Sequence, residues 1–131
     1  MLATMDAAQA IADLTEISPQ VRQVAAVGAD GSVLGSNLSD ESAAAQLVER
    51  ARRLLDTAEE LRPGIAQIEA ATIDGSVFVV RDGERLIAAT TTPEPTVGLV
   101  FYDLKTCLRS IDPPKPKRRP AKKKEADDAA A

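Results

Sequence analysis

Residues 65–92 read IAQIEAATIDGSVFVVRDGERLIAATTT, three apolar runs separated by two short turns. Asp74-Gly75 divides Ile65–Ile73 from Ser76–Arg81, and Asp82-Gly83-Glu84 divides that run from Arg85–Thr92. Asp-Gly between apolar runs is a strong hairpin signal, because glycine adopts a positive φ without steric penalty. The stretch predicts a three-stranded antiparallel meander. Its middle strand is apolar on both sides: Val77 and Val79 point one way, Phe78 and Val80 the other. A sheet with one wet face would alternate apolar and polar residues. This strand does not, so both faces of the sheet are expected to be covered.

The covers lie on either side of the meander. Downstream, Pro93-Glu94-Pro95 stops the third strand, and Val97, Val100, Phe101, Leu104, Leu108 and Ile111 recur at helical spacing. Upstream, Pro63-Gly64 ends a long helix that starts after Ser39 and Asp40, both good N-caps. Its stripe is Ala44, Leu47, Val48, Ala51, Leu54, Leu55, Ala58 and Leu61, with Glu49, Arg50, Arg53, Asp56 and Glu60 opposite. About 22 residues make it about 33 Å long, more than a small sheet can cover.

Further upstream, Val21–Ala29 and Ser32–Leu38 flank Asp30-Gly31 and read as a second hairpin. Ser18-Pro19 separates it from a first helix, capped by Thr4 and striped by Ala7, Ile11, Leu14 and Ile17. The fold class is α+β, in the order α-β-β-α-β-β-β-α, with five antiparallel strands and helices on both faces.

The chain has 131 residues, enough for one domain with a tail. Residues 1–112 form the expected domain and 113–131 the tail. Phe78, Phe101 and Tyr102 are the only aromatics, so alanine, valine and leucine fill the core. Each buries little area, and so small a domain is marginal alone. The absence of His and the single Cys107 exclude Cys-His and Ser-His catalysis, most zinc sites and an internal disulfide. Cys107 reads as a bland thiol beside the apolar face of the last helix. No secretory signal or membrane-spanning run is read, so a cytoplasmic protein is expected.

The net charge of −4 hides a split. Residues 113–131 carry seven basic and three acidic side chains, a net +4, against nine basic and seventeen acidic in residues 1–112, a net −8. The tail holds four prolines and no hydrophobe larger than alanine, so it is expected to be disordered. Lys115, Lys117, Arg118, Arg119, Lys122, Lys123 and Lys124 are candidate contacts for a polyanion, either nucleic acid or anionic lipid. No aromatic interleaves them for base stacking, and a solvated tail is the plainer reading.

Several of these residues, taken together, resemble the Roadblock/LC7 family. Ile11, Leu14 and Ile17, followed by Pro19-Gln20-Val21, resemble its first helix and the Pro-Gly-Val approach to its first strand, with Gln20 where glycine is common. Val24–Ala29 with Asp30-Gly31 and Val33-Leu34 resembles its first hairpin, and Val97-Gly98-Leu99-Val100 after Pro93 its approach to the last helix. The resemblance covers residues 4–111 and implies profilin-like layering. It also implies a small non-enzymatic cytosolic dimer that binds or regulates Ras-like GTPases, or serves as a scaffold in larger complexes, including bacterial sets with a sensor kinase and a GTPase.

The chain's own chemistry agrees with a binding role. It has no Gly-x-x-x-x-Gly-Lys-Ser/Thr phosphate loop. Glu59-Glu60 reads as a solvent-facing pair and Asp127-Asp128 as part of the tail, whereas general acid catalysis needs a shielded carboxyl. Arg50, Arg52, Arg53 and Arg62 invite an arginine-finger reading, but a solvated, ion-paired helix face accounts for them more simply. No cofactor, metal site, catalytic residue or small-molecule substrate is expected.

Assembly is the sharper expectation. The strand Ile65–Ile73 has no neighbour on its outer edge and carries no proline or lysine to block it, a liability unless another chain pairs with it. A two-fold mate would extend the sheet to ten strands, which is also how the resembled family dimerises. The expected interface comprises Leu47, Ala51, Leu54, Leu55, Ala58, Leu61, Ile65, Gln67, Ile68, Glu69, Ala71 and Ile73. Three function classes follow: a dimeric GTPase-partner scaffold, an adaptor tethered to nucleic acid or membrane by its tail, and a small-ligand sensor module.

Overall fold

The computed structural model describes residues 5–111; the Thr4 cap and the tail lie outside the described residues. The elements are α1 (Ala7–Ile17), β1 (Val21–Val27), β2 (Val33–Ser36), α2 (Glu41–Leu61), β3 (Gln67–Thr72), β4 (Gly75–Asp82), β5 (Arg85–Thr91) and α3 (Val97–Ser110). Their order is the expected one. The five strands form one antiparallel sheet, β2-β1-β5-β4-β3.

The Asp-Gly turns work as read: Gly31, Gly75 and Gly83 all take positive φ. At Gly75 the requirement is double. Its φ is +140°, and a Cβ there would run into the carbonyl oxygen of Thr91 on β5.

β4 divides the core in two. Phe78 and Val80 share one face with Val24, Ala26, Ile87 and Ala89, beneath α1 and α3. Val79 lies on the other with Ala25, Val27, Leu86 and Ala88, beneath α2. Pairing Val79↔Ala88 and Ala25↔Ala88 places three small or branched side chains in line across the centre, where α2 can approach. Both faces are covered, as the doubly apolar strand required.

Element ends differ from the reading for local reasons. β1 stops at Val27 because Gly28 turns the chain, its N–H donating to the Ser32 carbonyl at 3.0 Å. β2 stops at Ser36 because the Asn37 side chain takes over: Oδ1 accepts from Val24 N–H and Nδ2 donates to the Arg22 carbonyl, each at 2.8 Å. Asp6 caps α1, accepting from Gln9 N–H at 2.8 Å. Ile17, placed on the apolar stripe of α1, is 64% exposed at its end.

Candidate interaction surfaces

β3 is an outer strand of the sheet, hydrogen-bonded to β4 on one side only. Its six residues, QIEAAT, hold no proline and no lysine. β2, at the other edge, has four residues and is overlain by α1; a Cβ at Gly35 would meet Ala7 Cβ at 2.9 Å. The glycine lets the helix close over that margin. Among the described residues no helix closes over the outer edge of β3 in this way: α2 packs mainly on β1, β2 and β5, and α3 on β4 and β5.

The residues expected at an interface separate into two sets. Ala51 and Leu55 are buried against the sheet within the protomer, and Leu47 is half-buried against the same cluster. Leu54 and Leu61 turn outward, Leu61 with 87% of its surface exposed, while Ala58 is half-buried. Ile65 and Ile68 pack on the margin of the α2-side core, leaving part of each side chain open. Gln67 and Ala71 are exposed, Glu69 is half-buried, and Ile73 at the β3–β4 turn is 92% exposed. The Glu69 carboxylate accepts from Ser76 Oγ at 2.8 Å, which holds it beside β4. Ile65, Ile68 and Ile73 thus leave apolar surface open at and beside the strand, interrupted by Gln67, Glu69 and Thr72.

One polar cluster fixes the two bordering elements together. Arg81 Nη2 on β4 donates to Glu59 Oε2 and to the Ile65 carbonyl, both at 2.6 Å. Glu59 also accepts from the N–H groups of Gly64 and Ile65, with its Oε2 at 3.1 and 3.0 Å. These contacts, first the Gly64 N–H and then Arg81, hold its carboxyl below the usual carboxylate range. Glu59 is therefore not the free solvent-facing carboxylate read from the sequence. It joins the end of α2 to the approach of β3. A helical-wheel argument cannot find this, because Arg81 lies 22 residues away.

Most of the arginines of α2 and its C-cap remain on the surface. Arg53 pairs with Glu49 at 3.4 Å across one helical turn, and Arg50 and Arg62 are exposed. Arg52 is half-buried over the β1–β2 turn, beside Val27 and Gly31. The hollow lined by Arg22, Gln23, Ser76 and Thr90 is an open basin on the sheet rather than an enclosed cavity. Among the described residues no cluster of three His, Cys, Asp or Glu could hold a metal ion, and no helix is long and apolar enough to cross a membrane. Cys107 is buried, its thiol donating to the Ala10 carbonyl at 3.4 Å. Burial, with Asp13 nearby, pushes its pKa up to about 12.

A five-stranded antiparallel sheet between one long helix and two terminal helices, with its third strand open at the edge, is the Roadblock/LC7 fold, and this chain has it. A Roadblock/LC7 domain from Streptomyces avermitilis superposes with a TM-score of 0.67 at 16% identity, over 82% of this chain and 94% of that one. Myxococcus xanthus MglB gives 0.62 at 14% identity, over 79% and 89%. The gliding protein MglB from Thermus thermophilus gives 0.60 at 15% identity, over 80% and 84%. No family profile and no curated protein matches the sequence.

Proposed function

We propose that this chain is a non-enzymatic regulatory subunit of a small-GTPase system, acting as a homodimer in the cytoplasm. The observation that carries the reading is the open edge of β3 among the described residues, with Ile65 and Ile68 half-buried at its margin and Leu54 and Leu61 exposed on α2. An unblocked apolar edge invites a further strand. A second copy in two-fold register supplies that strand and lays a second α2 over the margin that the first leaves open. The Glu59–Arg81 contact holds α2 and β3 as one surface, so both would meet the mate together.

The MglB likeness supports a GTPase as the partner class, since the Roadblock/LC7 resemblance implies subunits that bind Ras-like GTPases. This chain has no phosphate-binding loop of its own, so any effect on nucleotide turnover would come from positioning the partner's loops. The test has two parts. Light scattering should give the dimer mass for the full chain at tens of micromolar. The tagged dimer should then retain a Ras-like GTPase from its own organism's lysate in a nucleotide-dependent way. A monomer, or a dimer that captures no GTPase in either nucleotide state, would count against the reading.

A further inference from the structure

β2 is the other outer strand of the sheet, and no strand pairs with its outer edge among the described residues. α1 overlies one face of it, at Gly35. On the opposite face a groove of about 530 Å³ runs between β2 and the first turns of α2, with Glu41, Ala44 and Ala45 as its helical wall. A smaller hollow of about 200 Å³ continues it, between Val48 and Arg52 of α2 and Gly31 in the β1–β2 turn. Ala45 lines both. Together they follow one flank of α2 from Glu41 to Arg52, about 16 Å of helical rise.

The strand wall offers backbone groups. Hydrogen-bonded and open pairs alternate along an antiparallel ladder. Asn37 N–H donates to the Val24 carbonyl and Gly28 N–H to the Ser32 carbonyl, which fixes those pairs as bonded ones. Ser36, opposite Ala25, and Val33, opposite Val27, are their open neighbours. The N–H and C=O groups of Val33 and Ser36 therefore point away from β1, toward the outer edge.

The far end offers a cation. Nη2 of Arg52 is buried without a hydrogen-bond partner, and Arg52 forms no ion pair among the described residues. The carboxylates nearby are engaged elsewhere, Glu49 with Arg53 at 3.4 Å and Asp30 with the N–H and Oγ of Ser32 at 3.0 and 2.7 Å. A guanidinium nitrogen withdrawn from water without an acceptor is costly. A carboxylate arriving in the hollow, met by a turn of the guanidinium, removes that cost. Glu41 is exposed at the opposite end and repels an acid there, which sets the direction of the occupant.

We propose that this groove docks an extended, acidic segment of a partner protein, added to the sheet as a further strand beside β2 with an aspartate or glutamate on Arg52. Main-chain bonds at Val33 and Ser36 hold it, the small Ala44 and Ala45 leave room for an apolar side chain, and the charge fixes the register. A strand of about five residues spans the groove. A second copy of this chain fits less well, because β2 reads VLGS and brings no carboxylate to Arg52. The site uses the edge opposite β3 and does not depend on pairing there.

Random peptides displayed on phage and selected on the immobilised full chain test this. The enriched sequences should share one Asp or Glu beside alternating Val, Ile, Leu or Thr. A synthetic copy of the leading sequence should bind Arg52→Gln about tenfold or more weakly than the wild type, and Arg53→Gln equally well. Ala45 is exposed, so Ala45→Glu, which puts a competing carboxylate in the groove, should abolish binding and serves even if Arg52→Gln perturbs folding. In the amide spectrum of the isotope-labelled full chain, Val33 and Ser36 should shift and gain protection from hydrogen exchange. No enriched sequence, an enriched set without an acidic position, or binding that survives both Arg52→Gln and Ala45→Glu would overturn the proposal. So would shifts confined to Gln67–Thr72, because they place the peptide on β3. A wild-type assembly whose mass Ala45→Glu halves in light scattering would overturn it too, by giving the groove to a second copy. A monomeric wild type that binds the peptide at Val33 and Ser36 would support it all the same.

Discussion

Glu59 and Arg81 meet at 2.6 Å, the carboxylate at the end of α2 and the guanidinium near the end of β4. Between them lies the Ile65 carbonyl, bonded to the same guanidinium nitrogen. One ion pair thus sets the height at which the chain leaves the long helix and joins the sheet, immediately before the strand whose outer edge is bare. Its position, more than its strength, gives it weight.

That contact has a pH signature. The folded carboxyl of Glu59 titrates below its ordinary value of 4.5. A group with a depressed folded pKa contributes stability that is present above the unfolded pKa and lost as pH falls through the folded one. Glu59→Gln should therefore be less stable than the wild type at neutral pH, with the gap beginning to close as pH falls past 4.5 and gone only below the lowered folded pKa. Urea midpoints measured across the acid range check this. A gap that stays constant down to the acid limit would show that the charge is immaterial.

Phe78 should be the most sensitive core position. It is fully buried in the central strand, and its ring meets Phe101 edge-on, with centroids 4.9 Å apart and planes at 73°. Phe78→Ala should cost about 3–5 kcal/mol. Phe101 is only half-buried on α3, so Phe101→Ala should cost clearly less. Chemical denaturation of both variants gives the order, and equal losses would contradict it.

Two glycines should respond in opposite senses to alanine. Gly75→Ala puts a Cβ against the Thr91 carbonyl at a φ of +140° and should destabilise by more than about 1 kcal/mol. Gly98, in the first turn of α3, has nothing within 4 Å of a built Cβ. Gly98→Ala should stabilise by up to about 1 kcal/mol. Thermal melts of the pair make the comparison in one experiment.

The open strand is tested by proline. Ile68→Pro removes a ladder donor and stiffens β3, while Leu61→Asp places a charge on the exposed end of α2. Both should shift the full chain from dimer to monomer in light scattering, with Leu61→Asp leaving the circular dichroism unchanged. A Leu61→Asp protein that stays dimeric would move the interface away from this strip.

Element order, turn positions and the two-sided core were all legible in the sequence, because each rests on contacts between near neighbours. Asp-Gly turns, proline stops and apolar periodicity are local properties, and here they agree with one another. Val77–Val80 in particular demanded a cover on both faces, and two helices on one side and one on the other provide it. The bare edge of the third strand followed as well, from a long helix that leaves no neighbour for it.

What only the tertiary structure decided is which polar groups meet across long separations. Glu59 looked free until Arg81 came to it. Gln20, where the resembled family has glycine, proves to tie the approach of β1 to the start of the last helix: its Oε1 accepts the N–H of Thr96, the N-cap residue, at 2.6 Å, 76 residues away. Asp103 reads as one more polar residue of α3, yet it is 7% exposed and lies on the side of α3 that faces α1. Periodicity tells which face of an element is apolar. It does not tell which element lies opposite, because the β1–β5 pairing and the α1–α3 contact close loops of more than fifty residues, and polar partners are selected only once those loops have closed.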